Sequence, residues 1–272
     1  FGTLLEASRR HVTRLPGAVL GVAPHSIRAV TEPELHALLA MHASGPVHMH
    51  AAEQTREVEE CQAWSGARPV EWLLDHMPLD RRWCLIHATH MTDAETDRLA
   101  RSGAVAGLCP ITEANLGDGI FAATRFVAGG GTFGVGSDSN VRISLAEELR
   151  TLEHSQRLRD LRRNRLGPAG GSTGRYLFDA AAAGGDRALG LGGGRIAPGS
   201  AADIVVIDRD HPALVGRCRD AVLDAFAFAA GDGAVSDVWS RGKHVVRGGR
   251  HADRDRLLAR FTATMKRLAA AL

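Results

Sequence analysis

Short apolar runs ending in polar, chemically capable residues recur along the first half of the chain: AVLGVAPH (18–25), PVHMH (46–50), WCLIHATH (83–90), AVAGLCP (104–110) and TFGVGSD (132–138). Runs of this length, bounded by turn signals, predict buried strands of a parallel sheet. The segments between them carry helix start signals. Thr31 with Glu34, Thr92 with Glu95 and Ser144 with Glu147 are capping-box pairs, in which each side chain meets the other's free backbone N–H. Gly45 and Gly103 supply C-terminal stops. From His25 to Gly136 the run ends recur about every 28 residues, close to the roughly 31 of a barrel in which ~250 residues build eight strand–helix units. The pattern predicts an α/β fold of TIM (β/α)8 type holding about strands 4 to 8, with the N-terminal strands absent. A five-stranded sheet cannot close, so the sequence reads as part of a longer chain, or one with its first portion unseen, rather than as a genuinely truncated protein.

After Asp138 the pattern changes. An amphipathic helix from Ser144 leads to a Gly-rich loop (167–174) and an Ala-rich helix around Tyr176 to Ala183. The stretches GRIAPGSAADIVVIDRD (194–210) and VSDVWSRGKHVVRGGRH (235–251) alternate and carry turn glycines, which predicts short antiparallel strands. The expected division is a barrel over 1–193, a small β-sandwich annex over 194–251 and a C-terminal helix over 252–272.

Composition narrows the class. The 272 residues are 44% hydrophobic and 24% charged, as in a globular protein able to bury a core. A net charge of +2 lacks the basic excess of a nucleic-acid binder. The one basic stretch, Arg157 to Arg165, has a helical pattern and reads as a solvated surface helix. Cys61, Cys84, Cys109 and Cys218 form no C-x-x-C pair, so neither a disulfide framework nor a zinc knuckle is indicated, and a cytoplasmic setting is expected. No apolar run nears the ~20 residues of a membrane span, and the first residues show no signal-peptide pattern.

The candidate chemistry lies at the predicted strand ends, where a barrel of this kind has its open mouth. His48 and His50 are two apart on one face of a strand, and either could reach a metal. Glu53 follows His50 in an H-x-x-E arrangement, a carboxylate placed to carry a proton from a metal-activated water to a substrate. His87 ends the next strand and Asp138 ends the last. Imidazole and carboxylate ligands with one open position suit zinc. Cys109 reads as a packed core thiol. His90 is either a partner standing behind the metal ligands or a polar strand end. Beyond an earlier run, His25 precedes Arg28, which could grip a substrate carboxylate or form a structural ion pair. The other histidines, His42 among them, read as surface residues.

The strand ends H-x-x-E, His and Ser-Asp, followed by GRIAPGSAADIVVID, resemble the amidohydrolase superfamily of barrel metal hydrolases. Within it, HMHAAEQTREVEEC, RPVEWLLDH, WCLIHATHMT, CPITEANLGDGIF and GSDSN are similar to the formiminoglutamate deiminases of histidine degradation, and the resemblance covers nearly all of the chain. It implies hydrolysis of N-formimino-L-glutamate to N-formyl-L-glutamate and ammonia, with one zinc ion per subunit and a homodimeric assembly. By the same resemblance His50 is a zinc ligand and Glu53 moves a proton to the imine nitrogen. His87 positions and stabilises the attacking oxygen, and Asp138 binds zinc and accepts the water proton. His25 and Arg28 contact the substrate, Arg28 through its carboxylate. The family's early His-x-His pair is absent upstream of residue 25, and Asn140 stands where a His follows Ser139 in the family.

Two rivals share these residues. One is an amidohydrolase that deaminates a purine, pyrimidine or triazine ring. The other is a non-catalytic barrel fragment that keeps part of a metal site.

Overall fold

The computed structural model describes residues 1–271. In chain order, α1 (Gly2–Val12) and α2 (Glu32–Met41) precede β1 (Val47–Ala51), then α3 (Thr55–Ser65) and α4 (Pro69–His76) lead to β2 (Trp83–His87). Next come α5 (Asp93–Ser102), β3 (Val105–Leu108), α6 (Pro110–Leu116), α7 (Ala123–Ala128) and β4 (Thr132–Val135). Two long helices follow, α8 (Leu145–Asp160) and α9 (Thr173–Leu189). The last part holds β5 (Ile204–Ile207), α10 (Ala221–Ala225), β6 (Val235–Ser240), β7 (Lys243–Arg247), β8 (Arg250–His251) and α11 (Arg254–Ala269).

The four strands β1 to β4 form one parallel sheet in sequential order, each joined to the next by helices. Its apolar residues are buried almost completely: Val47, Trp83, Leu85, Val105, Ala106 and Leu108 belong to this core, and Phe126, Leu149 and Leu177 cover it from α7, α8 and α9. Burial on both faces is why β2 and β3 read as continuous apolar runs. α9 lies close against β4. A Cβ on Gly184 would come within 1.8 Å of the Phe133 carbonyl oxygen, so only glycine permits this approach.

The run 18–25 is predicted as a regular strand, and here the structure differs. Val22 makes an isolated parallel bridge to Val47, although the ladder continues irregularly through Val22 N–H to Pro46 O, His48 N–H to Val22 O and His50 N–H to His25 O. Pro24 has no N–H to give, and His25 turns into the left-handed region at φ 62°. Smaller differences also have local causes. The Ser144 hydroxyl accepts the Glu147 N–H, but Glu147 does not reach back, because its carboxylate is paired with Arg142. α2 ends at Met41, before Gly45. The basic stretch leaves the helix after Asp160, which holds both Arg159 and Arg165. His42 is buried, not on the surface.

Beyond α9, β5 to β8 form one antiparallel sheet in sequential order. The helical segment 221–234 between β5 and β6 returns to the parallel half, where Ala225 and Phe226 pack with Ala146 of α8. Asp224 in that segment accepts from the Ser172 hydroxyl at 2.9 Å and the Gly174 N–H at 2.7 Å, satisfying the start of α9. Sequence alternation marks the strands of the annex but not this helical return.

Candidate active site

Register builds the site. In β1 and β2, Ala51 pairs with His87 and His50 with Ile86, so the two histidines stand at neighbouring strand ends. β3 separates β2 from β4 by two strand spacings, about 10 Å in all. Asp138 reaches His87 because the chain runs three residues past Val135 and turns at Asp138, φ 42°. Ligating atoms of His50, His87 and Asp138 all lie within 4.8 Å of one another.

Backbone strain concentrates at this edge. Of the ten non-glycine residues with positive φ among the described residues, His25, Ala52, His87, Ala88, Asp138 and Asn140 lie at or beside it. Such conformations cost of order 1–3 kcal/mol each and persist where surrounding structure fixes them. Glu57, almost fully buried, does so after β1: its carboxylate accepts the N–H groups of Ala52 at 3.1 Å and Glu53 at 2.9 Å.

Hydrogen bonds orient the rings. The Nδ1 of His50 lies 2.9 Å from the His25 carbonyl oxygen, an acceptor, so Nδ1 carries the proton and Nε2 keeps its lone pair. His87 is 1% exposed, with Nδ1 3.2 Å from Glu113 Oε1 and Nε2 3.5 Å from Glu53 Oε1. Burial disfavours charge on this ring, but the hydrogen bond to Glu113, the charge of Glu113, and then Glu53 and Asp138 outweigh it and hold its pKa above the ordinary value. The Nε2 of His50 and the carboxylate of Asp138, with His87 beside them, make part of a donor set suited to zinc.

The remaining predicted residues divide. His25 lies beside His50, ring centroids 5.0 Å apart with the planes tilted by 38°, and it contributes its carbonyl as well as its ring. Arg28 stands 3.7 Å from Glu53 and 3.9 Å from Glu57, next to the site. His48 is not brought in, since its Nε2 meets the Ala188 carbonyl oxygen at 2.7 Å. Cys109 is a buried thiol whose pKa burial pushes far up. His90 Nε2 lies 2.6 Å from the Asp118 carbonyl oxygen, and Asn140 accepts from Ser137 within its own turn.

The Amidohydrolase family model matches residues 4–245. The chain belongs to the amidohydrolase family. Among similar amidohydrolases, the formimidoylglutamate deiminase of Pseudomonas aeruginosa is 52% identical over 254 residues, 93% of this chain and 56% of that protein. The crystal structure of an amidohydrolase from Brucella melitensis superposes with a TM-score of 0.93 at 52% identity, covering 99% of this chain and 59% of that one. An adenosine deaminase from Xanthomonas campestris, solved with bound zinc, gives a TM-score of 0.80 at 26% identity, covering 91% and 57%. The chain thus spans somewhat over half the length of these relatives, and the parallel half of its fold is that of the TIM-barrel amidohydrolases.

Three carboxylates escaped the sequence reading. Glu57 and Glu113 brace the loops and the ring just described, and Glu148, on α8, accepts the Ile111 N–H at 2.9 Å at the start of α6. Glu57 stands four residues beyond Glu53, in the first turn of α3, a usable signal. Glu113 lies inside the motif CPITEANLGDG, but nothing in that motif says that it faces His87.

Proposed function

We propose that the protein hydrolyses N-formimino-L-glutamate to N-formyl-L-glutamate and ammonia, with zinc held by His50 and Asp138. What carries this reading is the convergence of His50, Glu53, His87 and Asp138 at one strand edge in a chain 52% identical to a formimidoylglutamate deiminase. The bare Nε2 of His50 and the carboxylate of Asp138 suit the ion. Zinc, when bound, lowers the pKa of a coordinated water to near neutrality.

The chain's own groups do the rest. Glu53 carries one proton of the water to the imine nitrogen as the C–O bond forms, and Asp138 takes the other from the added oxygen and passes it to the same nitrogen, so that the C–N bond breaks as the C=O bond forms and ammonia leaves. His87, charged more readily than a free imidazole, holds the attacking oxygen by a hydrogen bond. Arg28 exchanges its long contacts with Glu53 and Glu57 for the substrate carboxylate, where a bidentate pair is available. His25 lines the same mouth. The protein works as a homodimer in this reading. No helix among the described residues is long and apolar enough to cross a membrane.

A ring-deaminating amidohydrolase is the second reading, favoured by the likeness to the zinc-bound adenosine deaminase. Ammonia release is compared for N-formimino-L-glutamate, guanine and cytosine. Turnover of the linear amidine alone is expected, and turnover of a ring alone refutes the proposal.

A further inference from the structure

The acidic side chains next to the site are not equivalent. Glu53 and Asp138 face the gap, whereas Glu113 sits behind His87, 5% exposed, on the side away from Glu53. Its Oε1 accepts twice, from the Cys109 backbone N–H at 2.9 Å and from His87 Nδ1 at 3.2 Å. The first contact fixes the carboxylate at the start of α6, so the oxygen that meets His87 belongs to a rigid element. A second tie holds that element, because the Ile111 N–H, two residues before Glu113, donates to Glu148 on α8.

His87, Cys109 and Glu113 also bring ligating atoms within 4.8 Å of one another. A second metal centre does not follow. The Cys109 sulfur is held as a thiol by its surroundings, and Glu113 Oε1 is already engaged by two N–H groups. The arrangement is that of a carboxylate that orients an imidazole.

We infer that Glu113 is a positioning residue, which keeps a proton on His87 Nδ1 and so aims Nε2, bare when the ring is neutral, at the gap beside Glu53 and Asp138. A ring nitrogen's proton is set by the bond the other nitrogen makes, and partners of this kind typically change activity or metal affinity about 10- to 100-fold when removed. The inference rests on the proposed role of His87 only for its consequence in turnover. The tautomer itself is independent of the substrate.

The test is histidine-selective 15N NMR on the 272-residue chain, at a pH where His87 is neutral and without added metal, with His87→Asn assigning the resonance. His87 should show Nδ1 protonated and Nε2 bare. Glu113→Gln should preserve that pattern, since the amide oxygen still accepts. Glu113→Met should convert His87 to a mixture containing Nε2–H. His50, held by the His25 carbonyl, should keep Nδ1–H in every variant and serves as the internal control. An Nε2–H tautomer in the unaltered chain overturns the inference even if Glu113→Met does not fold, and so does an unchanged tautomer in a folded Glu113→Met. A correct tautomer pattern with no ammonia released from N-formimino-L-glutamate would leave Glu113 its role and remove the proposed substrate.

Discussion

The parallel half and the annex use strands in opposite ways. β1 to β4 bury their apolar side chains, and the residues just past their ends take left-handed backbone angles around three convergent donors. β5 to β8 leave their strands half-exposed, with Val205 at 53% exposure, and α11 buries no residue at all. Strained, charged chemistry therefore sits where packing is densest, because a tightly packed sheet can hold several unfavourable conformations in place. The annex carries fewer such conformations, at Arg219 and Arg241, and is built mainly from turns and alternation.

The largest expected effect breaks the comparison at its chemical end. Glu53→Gln keeps the shape of the side chain and removes the group proposed to shuttle protons, so turnover of N-formimino-L-glutamate should fall by about 10²- to 10⁴-fold. Ammonia release checks this, and a fall of less than tenfold would clear Glu53 of that role. Packing comes next. Leu85→Ala, in the middle of β2, should cost roughly 2–5 kcal/mol in urea unfolding. Val205→Ala, on the annex, should cost no more than about 0.5 kcal/mol. Equal costs would mean that the two sheets carry the fold alike.

Much of this is legible in the sequence. His50, Glu53, His87 and Asp138 stand at or just past the ends of apolar runs; register makes His50 and His87 neighbours, and the turns after β1 and β4 bring in Glu53 and Asp138. The Thr31 and Thr92 capping boxes form as their spacing implies. What stayed hidden depends on contacts distant in sequence. Glu113 lies 26 residues from the ring it orients, and Glu148 lies 37 residues from the amide it accepts. Hydrophobic periodicity reports which face of a helix is buried, and a buried glutamate breaks that pattern instead of announcing itself. The run at 18–25 misled for a different reason: its composition is strand-like, but Pro24 and the turn at His25 limit regular pairing to Val22.

Glu148, buried in the parallel half, makes stability depend on pH. Burial, with Glu113, Glu147 and Asp138 nearby and only the Ile111 N–H in opposition, pushes its carboxyl from 4.5 up to about 7. Between those values the folded chain keeps a proton that the unfolded chain releases. This contribution is complete below pH 4.5 and is lost as pH rises to about 7, a change of roughly 3 kcal/mol at 1.36 kcal/mol per unit. Glu148→Gln removes the titration. Relative to the unaltered protein it should gain about 1–3 kcal/mol between about pH 5 and pH 8, read from paired urea curves. A difference that stays constant with pH would show that Glu148 does not titrate there.

If the strand ends of the parallel half form a working zinc hydrolase site, Asp138→Asn should disable it, because that carboxylate has two proposed duties. The measurement is zinc content together with the rate of ammonia release from N-formimino-L-glutamate, on both proteins side by side. The variant should fold, hold less zinc and lose turnover; unchanged zinc together with an unchanged rate would rule out such a site.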